Sequence, residues 1–499
     1  MTSNPPWKTT PRSTSRGSCK RAGSELMDQA PGIGHRRIFG IETEYGVSLT
    51  GGDGACSAGQ VAMAMFHRLV EQHRSTNIYL SNGARLYLDV GSHPEYATAE
   101  ALTPMDALEQ DLAGERIMAD LAREACSVLA DRLGPGVTVH VFKNNVDAQG
   151  HSFGCHENYL LRRQVPLDVV KEQLVPFLVT RQLFAGAGRL GEAGYQLSQR
   201  ADFLDEAVSS ATTRARPMVN TRDEPHADPD RYRRLHVILG DSNRSQTVTW
   251  LKLATTHLVL SLIEEEVLSG RPHGFGACAL ANPGEAMRAT SRDMTGRASL
   301  DMESGGVMSA LDIQRRYWEG CRAYVDELGD QADTVLPMAD EALGLWRSAL
   351  DALDDGHWVA LAGWVDWAAK LRLLNAEAAR DADIFKARRL DLDYHDVAAG
   401  RSYGALVNHG MMDTLVDVNR IGEAVRRPPQ TTRARLRGDF VSKAEATALS
   451  WSCDWTHLVL KGTHRHEVTL MDPFACDPDE SYRALSEELD RERTRPDSV

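Results

Sequence analysis

The sequence predicts an α+β fold in which an antiparallel sheet carries helices packed on one of its sides. Short runs of alternating polar and apolar residues, typical of half-buried strands, lie mainly in the first half of the chain. The stretch from about 310 to 425 is instead rich in Ala, Leu, Glu and Arg, residues frequent in helices. Pro428 and Pro429 end this helical pattern, and a shorter mixed segment follows. We therefore predict one large domain and a small C-terminal domain.

The first residues of the chain differ from the rest. Residues 1–34 are rich in Ser, Thr, Pro, Gly, Arg and Lys and show no hydrophobic period. Such a segment cannot bury enough apolar surface to fold, so we predict a disordered N-terminal extension. Met27 stands shortly before the first predicted strand and is a candidate start codon, so deleting residues 1–26 is expected to leave activity unchanged.

Two alternating runs, at 37–46 and 84–90, predict the strands on which the chemistry depends. Side chains two residues apart in a strand point to the same side of a sheet. The polar side chains that share one side in this way are Glu42 with Glu44, and Arg85 with Tyr87 and Asp89. Further strands are predicted at 137–142, 158–162 and 235–239.

Long helices are predicted where start signals precede apolar-periodic stretches. Thr103 and Pro104 open a helix at 105–133, and Ser245 can cap a helix at 247–268. Tryptophans in the helix-rich stretch are expected to supply large buried surfaces. They are Trp318, Trp346, Trp358, Trp364 and Trp367.

Carboxylates on the two chemically important strands, together with Glu95, point to a magnesium site. Carboxylate oxygens are the ligands that Mg²⁺ takes from proteins while it bridges nucleotide phosphates. The ordinary alternative is that these acids pair with neighbouring arginines on an exposed sheet face, which is the commoner explanation of a lone Glu-x-Glu. Here Glu42-x-Glu44 occurs together with Arg-x-Tyr-x-Asp and with His93-Pro94-Glu95, and the combination favours the metal site.

A polar loop that enters a strand, Lys143–Asn145 with Gly154–Asn158, is a second candidate region. Its His156 or Glu157 can complete metal or phosphate contacts, although a single such histidine is more often structural. The neighbouring Cys155 is expected to be a buried, unreactive thiol.

An arginine-rich turn and strand around residues 220–236 is a third candidate region. The guanidinium groups of Arg222, Arg233 and Arg234 suit phosphate clamping, but solvated ion pairs have the same sequence pattern. Neither G-x-x-x-x-G-K-[ST] nor G-x-G-x-x-G is present, so a bound nucleotide must be held by a different arrangement.

Composition limits the class of partner and the compartment. The chain has 56 Lys and Arg against 70 Asp and Glu, a formal charge of -14, which argues against nonspecific binding to nucleic acid or anionic membranes. No apolar run reaches the ~18 residues of a membrane helix, and there is no apolar core of a secretory signal. Eight scattered cysteines without a C-x-x-C pair fit reduced thiols. We expect a cytoplasmic protein without nucleic-acid or membrane partners.

Four segments together resemble the Pup ligase family. They are Gly40–Gly46, Asn82–Glu100, Asn220–Asp228 and Pro428–Arg433, and the similarity runs from about Arg36 to about Leu485. The resemblance implies a glutamine-synthetase-like catalytic domain at 35–427. It also implies a small C-terminal domain at 428–499, whose tail is predicted to be disordered.

The resemblance also implies the site residues. It assigns magnesium contacts to Glu42, Tyr87 and Glu95, and the catalytic base to Asp89. The nucleotide contacts that it implies are Arg85, Thr98 and Trp455. By analogy with the glutamine synthetase site, Glu44 and His156 are further metal or phosphate ligands. The family pattern does not assign Arg222, Arg233 and Arg234.

The activity that the resemblance implies is an ATP- and Mg²⁺-dependent ligation. The C-terminal glutamate of the small protein Pup becomes a γ-glutamyl phosphate and is joined to lysine amines of other proteins, which links the enzyme to the bacterial proteasome. The runner-up is the Pup deamidase and depupylase of the same fold, which hydrolyses the terminal amide or the isopeptide bond. The short connection from Gly46 to Asn82, and local motifs such as Gly91-Ser92 and Gly154–His156, favour the ligase.

Two alternatives from other classes are testable. One is a noncatalytic scaffold that binds Pup or proteasome components, and intact Glu42, Tyr87, Asp89 and Glu95 argue against it. Absence of ATP binding would favour the scaffold. The other alternative is a ligase that joins free glutamate to small amines, which activity without any protein tag would reveal.

Overall fold

A computed structural model describes residues 36–493 except 90, 148–149, 193, 210–215, 382 and 463. The predicted disordered extension at 1–34, with Met27, lies outside the described residues. The strands in chain order are β1 Phe39–Glu44, β2 Gly46–Thr50, β3 Asn77–Tyr79, β4 Arg85–Leu88, β5 Pro94–Ala97, β6 Thr138–Phe142, β7 Cys155–Arg162, β8 Arg189–Gly191, β9 Gly194–Gln196, β10 Glu206–Ser209, β11 Pro217–Asn220, β12 Tyr232–Val237, β13 Ser299–Asp301, β14 Val307–Ser309, β15 Ser450–Cys453, β16 His457–Lys461 and β17 Arg465–Thr469.

Helices fill much of the chain after residue 240. The α-helices are α1 Ala58–Met65, α2 His67–His73, α3 Pro104–Leu133, α4 Leu167–Val169, α5 Val175–Thr180, α6 Gln182–Ala185, α7 Gln246–Ser269, α8 Pro283–Arg292, α9 Ala310–Leu328, α10 Ala332–Val335, α11 Ala339–Asp354, α12 Asp366–Ala378, α13 Ile384–Asp393, α14 Ser402–Asn408, α15 Val418–Ala424, α16 Ala434–Ala444 and α17 Glu480–Arg493. A π-helical turn spans Val170–Leu174, and 3₁₀ turns span Ala201–Phe203, Phe275–Cys278, Gly329–Gln331 and Trp358–Gly363.

The two long helices predicted from start signals are confirmed. α3 begins at Pro104, and its cap Thr103 accepts a hydrogen bond from the backbone N–H of Asp106 at 3.1 Å. α7 is capped by Ser245, whose hydroxyl accepts from Val248 N at 3.2 Å. In both cases a side-chain oxygen satisfies an N–H that the first turn leaves without a helical partner.

Eight strands form the main sheet, in the order β10-β11-β12-β7-β1-β5-β4-β3. Every neighbouring pair is antiparallel except β10 and β11, which are parallel at one edge. In β1 and β7, buried and half-buried residues alternate strictly. One side of this sheet packs on α5, α7 and their neighbours, and the other side is open, so the predicted α+β architecture is confirmed.

Strand register brings the predicted site residues together. Residues directly opposite each other in antiparallel strands lie on the same side of a sheet. Glu44 of β1 is opposite Glu95 of β5, and Tyr87 of β4 is opposite the same Glu95. Glu42 is opposite His156 of β7. All five side chains therefore lie on the open side.

Several predicted strands have different ends in the structure; the strand expected at 158–162, for example, spans Cys155–Arg162. The strand expected at 235–239 spans Tyr232–Val237, because the polar Tyr232, Arg233 and Arg234 pair with β7 although they break the apolar alternation. The strand expected to reach residue 90 ends at Leu88, because Asp89 begins a turn.

Three of the hydrophobic clusters divide most of the interior. The largest packs the sheet against α5, α7, α9 and α11 and contains the fully buried Trp346 and Trp367. Of the five tryptophans that were expected to be buried, Trp364 is buried as well, whereas Trp318 and Trp358 are half-buried at the edge of this cluster. A second cluster packs α1 and α3 against β4 and β6.

The third cluster joins α16 and α17 to the three-stranded sheet β15-β16-β17. It lies within the segment for which a separate C-terminal domain is predicted, and the boundary at 428 stays a prediction. Within the described residues, no helix has both the length and the apolar composition needed to span a membrane.

Candidate active site

A cavity of about 1070 Å³ lies over the open side of the main sheet. It is at the upper end of the ~300–1,000 Å³ typical of small-molecule sites. Its walls include Glu42 and Glu44 of β1, Arg85 and Tyr87 of β4, Glu95 of β5 and His156 of β7. Asp89, Arg222, Arg234 and Trp455 also line it. Most of the site residues predicted from the sequence therefore share one cavity.

Three carboxylates converge on one point of this cavity. Ligand oxygens of Glu44, Asp89 and Glu95 lie within 4.8 Å of one another. Glu95 is 3% exposed and forms no ion pair with a Lys, Arg or His among the described residues. Burial, and next the negative charges of Glu42 and Glu44, raise the pKa of Glu95 well above its usual value. The arrangement is electrostatically unfavourable unless a cation or a proton joins it.

Glu42 has a different environment on the same strand. Its Oε2 lies 3.3 Å from His156 Nδ1, and its Oε1 lies 3.4 Å from Arg234 Nη1. Burial raises the pKa of Glu42, but the hydrogen bond with His156 and the positive charge of Arg234 help to outweigh burial, and that pKa lies below the usual range. Glu42 is therefore ionised at neutral pH.

His236 joins Glu42 and His156 in a second group whose ligand atoms lie within 4.8 Å. Burial lowers the pKa of His236 to about 3, so its ring is neutral at pH 7. His236 Nδ1 lies 2.7 Å from Asn158 Oδ1 and donates to it, which leaves the lone pair on Nε2. A neutral imidazole of this kind can act as a metal ligand or accept a proton.

The donor set fits a hard divalent cation such as Mg²⁺. Carboxylate oxygens predominate, and no lysine or arginine separates Glu44, Asp89 and Glu95 in the described part of the cavity wall. Burial and the charge of Glu95 raise the pKa of Tyr87, so the phenol is neutral. Its hydroxyl group donates a hydrogen bond to the Glu95 carboxylate. Tyr87 thereby orients a carboxylate at the point where a cation would bind.

Asp89 lies in the turn between β4 and β5. Its N–H donates to His93 O at 3.0 Å, and its carbonyl accepts from Ser92 N at 3.0 Å. Gly91 and Ser92 have positive φ values of 107° and 66°. The left-handed conformation costs a non-glycine residue about 1–2 kcal/mol, so the turn bonds maintain a locally strained backbone. The turn fixes Asp89 at the rim of the cavity, on the side of Glu44 and Glu95.

The three arginines of the third candidate region have different positions. Arg234 faces the cavity and contacts Glu42. Arg222 also lines it but is exposed and paired with Glu224 at 3.1 Å. Arg233 follows the strand alternation to the opposite side, where it lies beside Arg163. The structure therefore brings only Arg234 close to the carboxylates.

The candidate residues of the second region also lie on different sides of the main sheet. His156 lies between Glu42 and Glu44, 3.8 Å from Glu44 Oε1. Glu157, the alternative candidate, is on the buried side of β7, where it pairs with Arg181 at 2.5 Å. Cys155 is 1% exposed on that same side. The idea that Glu157 contacts a metal or phosphate is wrong, because one step along a strand reverses the direction of the side chain.

A smaller cavity of about 90 Å³ adjoins the large one. Its wall is mostly apolar, with Ile38, Phe39, Ile41 and Pro473, and it includes Thr98. Glu42, His226, Arg234 and Trp455 line both cavities. A narrow apolar recess beside an acidic cavity suits a flat heterocycle whose charged end projects towards the carboxylates.

Sequence patterns did not reveal two further cavity residues, Arg200 and Arg216. Arg200 is 1% exposed, donates from Nη1 to Phe153 O at 3.0 Å, and has no partner for its Nε among the described residues. Arg216 donates to Ser152 O. Neither arginine forms an ion pair within the described chain, so together they offer positive charge to an anion. Both occur in unremarkable local sequence, without a motif that could have identified them.

The site is thus an antiparallel sheet with converging carboxylates on its open side and an apolar recess beside them. The family model described as Pup-ligase protein matches residues 37–459. The chain belongs to the Pup ligase family, as its motifs suggested.

Curated relatives support the assignment. The chain is 53% identical to the Pup–protein ligase of Bifidobacterium longum (strain DJO10A) over 484 residues, which cover 96% of this chain and 100% of that protein. It is 55% identical to the Pup–protein ligase of Bifidobacterium adolescentis (strain ATCC 15703) over 461 residues, covering 91% and 94% of the two chains. These relatives have the name of the ligase rather than of the deamidase.

Two solved structures are similar over nearly the whole chain. The ligase PafA in complex with the prokaryotic ubiquitin-like protein Pup matches with a TM-score of 0.84 and 36% identity, over 91% of this chain and 92% of that one. PafA in complex with ADP matches with a TM-score of 0.76 and 37% identity, over 88% and 95% of the two chains.

Proposed function

We propose that this chain is an ATP-dependent ligase that joins the C-terminal glutamate of Pup to lysine ε-amines of other proteins. The observation that carries the proposal is the convergence of Glu44, Asp89 and Glu95 on one cavity without a cationic partner among the described residues. Membership of the Pup ligase family, and the names of the relatives, supply the substrate class.

The nucleotide occupies both cavities in this proposal. Its base lies in the smaller cavity against Trp455 and Thr98, and its phosphates point towards Arg85 and the carboxylates. Glu42, Glu44 and Glu95 would hold Mg²⁺, and Tyr87 would orient Glu95. When bound, Mg²⁺ neutralises charge on the phosphates.

The chemistry has two steps. An oxygen of the tag's γ-carboxylate attacks the γ-phosphorus of ATP, and the bond to ADP breaks, which leaves a γ-glutamyl phosphate. The lysine nitrogen then attacks the activated carbonyl carbon, and the C–O bond to phosphate breaks as the isopeptide bond forms. Arg200 and Arg216 supply positive charge that stabilises the tag's carboxylate or the phosphoryl group during its transfer.

Asp89 accepts the proton that the lysine nitrogen must lose. With a reference pKa of about 10.4, deprotonating a lysine at pH 7 costs roughly 4.6 kcal/mol. A carboxylate positioned at the cavity rim removes this proton during attack rather than before it. The turn that fixes Asp89 is therefore part of the catalytic geometry.

The partners in this proposal are Pup and lysine-bearing proteins, and the modification marks those proteins for the bacterial proteasome. We place the reaction in the cytoplasm, where thiols stay reduced. Each cysteine in the described ranges is a free thiol, which suits that compartment.

A defined reaction tests the proposal. The purified protein is incubated with ATP, Mg²⁺, Pup ending in glutamate and a lysine-bearing acceptor, and intact mass and ADP are measured. We expect conjugate and ADP in equal amounts, and no product when the acceptor lysines are acetylated. Hydrolysis of Pup ending in glutamine, without conjugation, would assign the chain to the deamidase activity instead.

A further inference from the structure

A group of buried charges lies at the smaller cavity, and Glu100 and Arg433 are part of its wall. The group consists of Glu100, shortly after β5, and of Arg433 and Arg437 at the start of α16, and is called the Glu100 cluster below. These residues are 8%, 3% and 0% exposed. Burying charges costs several kcal/mol per ion, so a buried ion-pair group is a poor device for stability alone. Its geometry therefore suggests another purpose.

The contacts within the Glu100 cluster are charge-assisted hydrogen bonds. Arg433 Nε donates to Glu100 Oε1 at 2.8 Å, and Arg437 Nη1 donates to the same oxygen at 3.1 Å. Arg437 Nη2 donates to Glu100 Oε2. Burial raises the pKa of Glu100, but the charges of Arg437 and Arg433 outweigh it and lower that pKa to about 2. The carboxylate is thus ionised at neutral pH and binds both guanidinium groups.

The other donors of the two arginines bind segments that wall the nucleotide site. Arg437 Nη1 donates to Trp455 O at 3.1 Å, and its guanidinium lies 4.8 Å from the centre of the Trp455 ring. Arg433 Nη1 donates to His226 O and, at 2.8 Å, to Leu470 O. The Glu100 cluster therefore connects the end of β5 with two cavity walls that are far away in sequence.

Both of these walls need such support. Trp455 and His226 line both cavities, yet each lies in a loop. His226 has a φ of 46°, a left-handed conformation that costs a non-glycine residue about 1–2 kcal/mol. Its carbonyl is the oxygen that Arg433 binds. Thr98, two residues before Glu100, completes the wall from the side of β5.

We propose that Glu100, Arg433 and Arg437 are positioning residues for the nucleotide base. They act through Trp455 and His226, which they fix relative to Thr98, so the recess is formed before the base enters. Preorganised walls raise affinity because ordering costs are not paid on binding. This inference rests on the proposed function, since it takes a nucleotide as the ligand of the smaller cavity. It assigns a purpose to Pro428–Arg433, the family motif that ends in Arg433.

The test measures ADP binding by calorimetry at saturating Mg²⁺, in the full chain. Glu100→Gln keeps the shape of the side chain but removes its charge. We expect its ADP affinity to fall about tenfold, which is within the coupling range of contacting groups. In the conjugation assay, KM for ATP should rise by a similar factor, while KM for Pup and kcat at saturating ATP stay within about twofold.

A double-mutant cycle separates positioning from general destabilisation. Glu100→Gln is combined with Trp455→Ala, and ADP binding is compared with each single variant. If the Glu100 cluster acts through Trp455, the effect of Glu100→Gln largely disappears in the Trp455→Ala background. Equal losses of ADP affinity in both backgrounds, or no loss in a folded Glu100→Gln, would overturn the proposal.

Two further variants complete the experiment. Arg437→Lys keeps the charge but cannot bind Glu100 and Trp455 at once, and it replaces Glu100→Gln in the cycle if that variant does not fold. Arg435→Lys on the same helix is the matched control, because its side chain is 43% exposed and pairs only peripherally with Asp477. It should bind ADP like the wild type.

The wild-type protein distinguishes the two levels of inference. ADP binding without any conjugation would overturn the proposed ligase function. The double-mutant cycle would then still decide whether the Glu100 cluster positions the walls of the smaller cavity. A wild-type chain that binds no ADP would overturn both.

Discussion

The acidic half of the site and the base-binding half are built in different ways. Glu42, Glu44 and Glu95 project from neighbouring strands, and the register of the main sheet alone brings them together. The recess beside them depends on Trp455 and His226, two loop residues connected to β5 by the Glu100 cluster. Backbone hydrogen bonds therefore position the acidic half, for which we propose metal binding, whereas side-chain ion pairs position the half that we propose to bind the base.

This difference has a functional consequence. A substitution on the acidic half changes a group that takes part in binding or proton transfer, but it leaves the sheet in place. A substitution in the Glu100 cluster removes no metal ligand and no proton acceptor, but it moves the walls of the smaller cavity, which Glu100 and Arg433 also line. We expect the first kind to change chemistry and metal dependence, and the second kind to change nucleotide affinity and stability.

The largest effect is expected for Asp89→Asn. The amide cannot accept the proton of the attacking lysine, so conjugation should slow by about 10²–10⁴-fold, the usual contribution of a general base. ADP affinity should stay near the wild-type value, because Asp89 is at the rim and not in the smaller cavity. Single-turnover conjugation and ADP calorimetry measure the two quantities. Normal conjugation by Asp89→Asn would contradict its role as base.

A smaller effect, confined to metal dependence, is expected for Glu95→Gln. Removing the charge of Glu95 relieves the repulsion with Glu42 and Glu44 and removes a carboxylate ligand. The Mg²⁺ concentration for half-maximal ADP binding should rise at least ~10-fold, by comparison with changes at outer-shell metal partners.

The matched control for Glu95→Gln is Glu467→Gln. Glu467 is on β17, and its half-exposed side chain pairs with Arg465 at 3.2 Å. ADP binding by Glu467→Gln should therefore depend on Mg²⁺ as it does in the wild type. If Glu95→Gln has an unchanged Mg²⁺ titration, the metal is held elsewhere.

On the base-binding side, acid should weaken the Glu100 cluster in a defined pH range. The folded-state pKa of Glu100, about 2, lies below its ordinary 4.5. A depressed pKa contributes stability that is fully present above about 4.5 and is lost as pH falls towards 2, on the order of 3 kcal/mol at most. The difference in urea midpoint between wild type and Glu100→Gln should therefore narrow over that range. A difference independent of pH between 6 and 3 would contradict the ion-pair assignment.

The same contrast explains how much the sequence could predict. Alternation identified Glu42 and Glu44 as neighbours, because strand geometry converts sequence spacing directly into a shared face. The nearby pattern His93-Pro94-Glu95 added Glu95 to the predicted magnesium site. The same rule excludes Glu157 and Arg233, which are one step out of phase with His156 and Arg234. Asp89 was expected within a strand, but the turn at Gly91 and Ser92 ends that strand at Leu88.

For other residues of the site, no local sequence pattern indicated a role. Arg200 and Arg216 reach the cavity through tertiary packing, and nothing in their neighbourhoods distinguishes them from surface residues or residues of ordinary strands. His236 ends the third candidate region, but the arginine pattern there did not indicate a role for it. The arginine motif after Pro428 was recognised as a family feature, but its partner Glu100 is more than 300 residues earlier. Pairings over such distances depend on the whole fold, and single-sequence patterns cannot supply them.

The smallest effects are expected where α16 packs against the turn before β4. A Cβ at Gly438 would lie well inside contact distance of the Ser81 carbonyl oxygen and 2.8 Å from Pro428 Cγ. Gly438→Ala should therefore destabilise the protein by about 1–3 kcal/mol through overpacking, and it should weaken ADP binding because α16 carries Arg437. Thermal unfolding and ADP calorimetry measure these changes.

Gly344→Ala is the counterpart of Gly438→Ala in a helix that does not touch the site. Gly344 lies in the exposed part of α11, and a Cβ there meets no atom within 4 Å. Alanine should stabilise that helix by up to ~1 kcal/mol, since it lowers the entropy cost of helix formation, and ADP affinity should not change. The two glycine substitutions are chemically identical, so opposite signs in stability would show that close packing of α16 on the turn, rather than helix propensity, controls the base-binding half. If both variants gained stability and bound ADP normally, the walls of the recess would not depend on that packing.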